Sequence, residues 1–175
     1  MMNLLQDTQL KRNEVRRYIT YAILSVVLII VNLTVLDFVA IGNITPDLLL
    51  ILCVWISIQE GQFIGVFAAF IIGLTLDIVS IDVIGTNALT KILVAFVAGF
   101  FYREGEAFKT IGSYKFLLIV FGTAVLHNLL YNFFYLKVSD ASFVTFFMKY
   151  GIATALYTTV LGIFPMLSKI PRKGY

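Results

Sequence analysis

The sequence predicts an all-α integral membrane protein, a bundle of six transmembrane helices with both termini on the cytoplasmic side. Composition, the spacing of apolar runs and the placement of lysine and arginine carry that expectation. Of the 175 residues, 60% are hydrophobic and 13% charged, and the mean hydropathy is +0.95. Soluble domains sit near 45–50% apolar and about 25% charged, and a globule of this length could not hide the excess from water. One domain is expected at this size. The single cysteine, Cys53, lies in an apolar run and excludes a disulfide framework and a cysteine metal site. A net charge of +3 from scattered bases gives no footprint for nucleic acid.

A helix crosses the hydrocarbon with about 20 mostly apolar residues. A basic cytoplasmic segment, residues 1–17, precedes a six-span region, residues 18–168. The first span runs from Tyr18 to Ile41, interrupted by Asn32, Thr34 and Asp37. It is too long for a cleaved signal peptide and lacks a small-residue cleavage pattern. The second follows Pro46-Asp47, where proline suits the first turn and aspartate the positive end of a helix, and reaches Ile58; a span this short is matched by tilt or thinning. Gln59-Glu60-Gly61 turns the chain into the third, Phe63 to Val79. A mixed stretch, Ser80 to Gly85, leads to the fourth, Ile84 to Tyr102. The polar loop Arg103–Ser113 precedes the fifth, Phe116 to Leu136, and Lys137 to Asp140 turns into the sixth, Phe143 to Leu167. A basic tail, residues 169–175, ends the chain.

Lysine and arginine in short loops set orientation. Lys11, Arg12, Arg16 and Arg17, then Arg103, Lys109 and Lys115, then Lys169, Arg172 and Lys173 all fall on one side of six spans. The other side holds Asp47, Asp82, Asp140 and only Lys137. The loop at Glu60 has no base of its own. No extramembrane stretch exceeds the N-terminal segment, so function must reside in the helices and short loops.

Ionisable residues inside spans are costly and are therefore site candidates. Asp77 and Lys91 lie at similar depth on adjacent spans, where a pair would cancel both charges. Either they belong to a polar cluster that shapes a binding face or holds a fold-critical turn, or the two groups simply reach the headgroups. In the fifth span Thr123, His127, Asn128, Tyr131, Asn132 and Tyr135 share one helix face, which should meet other helices through hydrogen bonds. His127 is the lone histidine, so packing weighs more than proton relay or metal ligation. Gly65, Ala69 and Gly73 form a small-residue stripe, read as internal packing or as a seat for a partner's helix, and Gly151-x-x-x-Ala155 is a weaker copy. Lys149 is expected to snorkel. No Walker loop, His-Glu-x-x-His or Gly-x-Ser-x-Gly occurs. An intramembrane aspartyl protease would need Asp47 and Asp77 to share a site, without a flanking motif in support.

The run Pro46-Asp47-Leu48-Leu49-Leu50-Ile51-Leu52, the glycines Gly61, Gly65 and Gly73, the stretch Leu74-Thr75-Leu76-Asp77-Ile78-Val79-Ser80 and then Gly85-Thr86-Asn87-Ala88-Leu89 resemble the rod shape-determining protein MreD family. The similarity is strongest from Pro46 to Gly99. It implies a multi-pass bacterial inner-membrane protein working with MreC, the MreB filament, RodA and its transpeptidase partner in lateral wall synthesis, with no catalysis and no cofactor. Carried onto this chain, it singles out Pro46, Asp47, Gly73, Asp77 and Gly85. The expected role is a scaffold that docks the transmembrane helix of MreC at the Gly65/Ala69/Gly73 stripe or the fifth-span face, with self-association left open. The size and span count also resemble the substrate-binding components of energy-coupling-factor vitamin transporters, whose fold the MreD family is thought to share. On that alternative the His127, Asn128 and Asn132 face would line a small-molecule pocket.

Overall fold

A computed structural model describes residues 2–35, 38, 40, 44–80, 83–136, 144 and 147–168. The expectations that rest on Asp37, Ile41, Asp82, Lys137, Asp140, Phe143 and the tail from Lys169 lie outside these residues, as do those on the side chains of Lys11 and Tyr135. Every element of the described chain is a helix: α1 (Met2–Thr34), α2 (Leu48–Glu60), α3 (Gln62–Ser80), α4 (Thr86–Gly99), α5 (Ala107–Ile111) and α6 (Tyr114–Leu136). A π-helical turn, Phe147–Gly151, then runs into α7 (Ile152–Leu161) and α8 (Ile163–Ser168).

Six apolar segments are thus helical, but they are not alike. Arg12–Thr34, Gln62–Ser80, Tyr114–Phe134 and Phe147–Ser168 are long and apolar enough to cross a membrane. The helices α2 and α4, with 13 and 14 residues, cover only about 20 Å at 1.5 Å per residue, short of the ~30 Å hydrocarbon. They compensate by position. Nine residues of α2 are buried, on every side of the helix, as a helix apolar all round requires. Its Leu50, Ile51, Val54 and Ile58 pack with Val94 of α4 and Phe116 and Val120 of α6, while Leu49, Cys53 and Ile56 pack with Ile72 and Leu76 of α3 and Ile29 of α1.

Around this hub the other helices are apolar on their outer faces as well. Among the described side chains of α1 only Ile29 is a buried hydrophobic, while Ile19, Ile23, Val26 and Ile30 are exposed. Such faces would be costly in water and are neutral against lipid tails, where close packing supplies the association. The helix α1 also runs unbroken through the boundary expected after residue 17. Near that point Arg17 Nε lies 2.7 Å from Glu60 Oε1, and the Tyr21 hydroxyl donates to the same oxygen at 2.8 Å. The base missing beside Glu60 in the sequence is therefore supplied by α1.

Two features of the α2–α3–α4 core set the site. Gly65 abuts α2, since a Cβ there would lie 2.2 Å from Ser57 Oγ; Gly73 abuts α4, with Ala88 Cα 2.5 Å from the same imagined atom. Ala69 between them is fully buried. The chain's own helices therefore occupy the small-residue stripe, which leaves no free seat for a partner's helix there. Gly99 is a close approach of the same kind, 2.6 Å from Gln62 Cα by that measure, and the sequence reading passed over it.

Candidate functional site

Polar side chains from α2, α4, α6 and α7 meet around the start of α2. Pro46 stands just before the helix rather than in its first turn, and Asp47 is the N-cap, its Oδ1 accepting from Leu50 N–H at 2.8 Å. The Asp47 N–H donates to Thr158 Oγ1 of α7 at 3.0 Å. Asp47 Oδ2 then faces Lys91 Nζ at 2.8 Å, with the lysine side chain 1% exposed and the aspartate 16%. Lys91 also donates to Asn87 Oδ1, one turn earlier on α4, at 3.2 Å.

His127 of α6 closes the group, its Nε2 3.5 Å from Lys91 Nζ and 3.7 Å from Asp47 Oδ2. Nε2 thus faces both the ammonium and the carboxylate, while Nδ1 lies 3.5 Å from Asn128 Oδ1. Asn128 Nδ2 in turn donates to the Gly151 carbonyl at 2.8 Å, at the end of the π-helical turn. Such wide turns often accompany functional positions. Tyr131 stacks on the His127 ring, with centroids 5.9 Å apart.

Of the alternatives for Asp77 and Lys91, the pair between them does not form and the role at the turn does. Asp77 is buried and accepts three backbone N–H bonds across the turn into α4: Gly85 at 2.9 Å and Ala88 at 3.1 Å on Oδ2, and Asn87 at 3.0 Å on Oδ1. Gly85 has φ +97° as residue before α4, the left-handed region that favours glycine, and this aims its N–H at the carboxylate. A carboxylate satisfied by backbone donors needs no lysine. Asp47 and Asp77 thus have separate partners and do not form the shared site an aspartyl protease requires.

The α6 stripe turns inward, with Thr123, His127 and Asn132 buried. Its bonds are less interhelical than expected: Thr123 Oγ1 donates to Ile119 O in its own helix at 2.7 Å. Gly151 and Ala155 are buried, whereas Lys149 is exposed and lies 5.2 Å from the Tyr150 ring centroid. Asn87 and Thr158 were missed by the sequence reading. For Asn87 the signal was present, four residues before Lys91 on the same face; nothing local marks Thr158.

Beside the cluster lies a cleft of about 450 Å³ whose walls include Asn32, Asp47, Lys91, His127, Asn132 and Tyr150. Its charges cancel locally, one ammonium against one carboxylate, and its histidine lies between that carboxylate and the Asn128 amide. The arrangement can bind polar groups and can hold helices in register.

Comparison with protein families matches residues 13–167 to the family described as rod shape-determining protein MreD. No curated protein and no solved structure matches the chain.

Proposed function

This chain belongs to the rod shape-determining protein MreD family, and from that premise we propose that it is a noncatalytic scaffold of the bacterial cell-elongation complex. Its six helical segments, two of them short, sit in the inner membrane with both termini in the cytoplasm. It docks the single transmembrane helix of MreC and so links the MreB filament to RodA and its transpeptidase partner. The observation that supports this reading is how the buried charges are used. Lys91 is held by Asp47 and Asn87, and Asp77 by three backbone donors, so the ionisable groups of the interior fix helices rather than stand free for chemistry. With the Gly65/Ala69/Gly73 stripe filled from within, docking falls to an outer face, of which the exposed apolar side of α1 is the longest.

The test is a mild-detergent pull-down from native membranes, with a photo-crosslinking residue at Ile23 or Val26 and mass spectrometry of proteins and small molecules together. A crosslink to MreC is the expected outcome. Recovery of MreC without a crosslink at either position would move the interface off α1, and absence of MreC and the wall enzymes would remove the scaffold reading. The polar cleft favours a second reading, a substrate-binding component of an energy-coupling-factor vitamin transporter. That reading requires an ATPase module and a bound vitamin in the same pull-down.

A further inference from the structure

A second cavity, larger than the polar cleft, lies elsewhere among the described residues. A groove of about 650 Å³ opens between α1, α2 and the α7–α8 segment, within the range of about 300–1,000 Å³ that holds small ligands. Its walls are graded. Leu24 and Leu28 of α1, Ile51 and Leu52 of α2, and Leu161 and Phe164 line it with hydrocarbon, while Arg17, Thr20, Gln59 and Ser168 also line it. Eleven residues separate Arg17 from Leu28, and α2 runs antiparallel to α1 from Leu48 to Gln59, so polar and apolar ends stand about 16 Å apart along the helices.

The polar end is not internally complete. Gln59 Oε1 is buried there without a hydrogen-bond partner among the described residues, so the amide has to turn toward the groove to meet a ligand donor. Arg17 contacts Glu60 through Nε, and its five N–H donors exceed what one carboxylate oxygen can take. Arg12 and Arg16 lie within the preceding turns of α1 and add positive potential at that level.

The geometry points to a site for an anionic glycerophospholipid of the leaflet nearer the N-terminus. An acyl chain lies along Leu24, Leu28, Leu161 and Phe164, and the phosphate meets the Arg17 guanidinium. This assignment stands independently of the scaffold reading.

Native mass spectrometry of the detergent-purified chain, titrated with phosphatidylglycerol or phosphatidylcholine, tests it. The expected result is one phosphatidylglycerol retained per chain, favoured over phosphatidylcholine about five-fold, the effect of one basic residue near an anionic surface. Arg17→Gln should abolish the preference and Arg17→Lys should restore it. Leu24→Trp, which fills the apolar end without touching the Glu60 contact, should lower retention of both lipids while the elution profile stays unchanged. Equal retention of the two lipids by the native chain, an intact preference in Arg17→Gln, or unchanged retention in Leu24→Trp would each overturn the site. So would a photo-crosslinker at Leu24 that captures a protein instead of lipid.

Discussion

Lys91 and Asp47, 44 positions apart in sequence, meet at 2.8 Å, and with that contact the middle of α4 is tied to the first turn of α2. The same carboxylate caps α2 through Leu50 N–H, so one side chain both starts the central helix and neutralises the buried ammonium beside it. Breaking such a pair costs more than making it gains. Removal of one partner leaves a charge without compensation, at about 3–5 kcal/mol, whereas replacing both with neutral groups is often tolerated.

Asp47→Asn keeps an oxygen for the cap and the backbone contact to Thr158 but strands the Lys91 charge. It should therefore lower thermal stability in detergent sharply, and Asp47→Asn with Lys91→Met should recover most of the loss. Fluorescence-detected size exclusion after heating measures both. Equal melting of the single and double variants would show that the ion pair does not govern stability here.

One closely packed glycine and one open glycine give opposite expectations for the same substitution. Gly73→Ala places a methyl 2.5 Å from Ala88 Cα, where backbone cannot yield without separating α3 from α4, and overpacking of this kind costs about 1–3 kcal/mol. Gly122, on α6, has nothing within 4 Å of its imagined Cβ, so Gly122→Ala should be neutral or stabilise the helix by about 0.5–1 kcal/mol. Melting of the two variants side by side checks the packing independently of any partner.

Asp77→Ala leaves the N–H groups of Gly85, Asn87 and Ala88 without acceptors, and each unsatisfied buried donor costs about 1–3 kcal/mol. Asp77→Asn retains one carbonyl oxygen and should fall between the native chain and alanine. Hydrogen exchange is the direct readout: in Asp77→Ala these three amides should exchange faster while Val94 and Ala98, deep in α4, stay protected. A uniform rise along α4 would instead mean that the whole helix depends on this carboxylate.

Apolar runs made the helices legible because a bilayer permits few alternatives, and α3 and α6 lie within two residues of their expected ends. The partner of Lys91 was not legible. Sequence neighbours suggested Asp77, since α3 and α4 are adjacent, but the choice depended on what the intervening turn offered, and Gly85, Asn87 and Ala88 offered backbone donors that no hydropathy pattern displays. Asp47 became available because α2 is short, so its cap meets side chains of the neighbouring helices. The polar face of α6 was visible as a period of three and four residues, yet whether its groups cross to another helix, as Asn128 does, or fold back on their own, as Thr123 does, depends on the distance to that neighbour.

The contact of Arg17 and Tyr21 with Glu60 should behave differently from the Asp47 pair. Arg17 keeps 40% of its side chain exposed while Glu60 keeps 3%, so removal of the acid leaves an arginine that water can still solvate. Glu60→Gln preserves an acceptor for the Tyr21 hydroxyl and should cost no more than about 1 kcal/mol, the range of exposed ion pairs. Because the described side chains of α1 bury little else than Ile29 among their hydrophobics, the loss should show locally, as faster exchange of α1 amides around Tyr21, with the melting of the α2–α4 core nearly unchanged. A fall in global stability as large as that of Asp47→Asn would instead make the α1–α2 contact part of the central core.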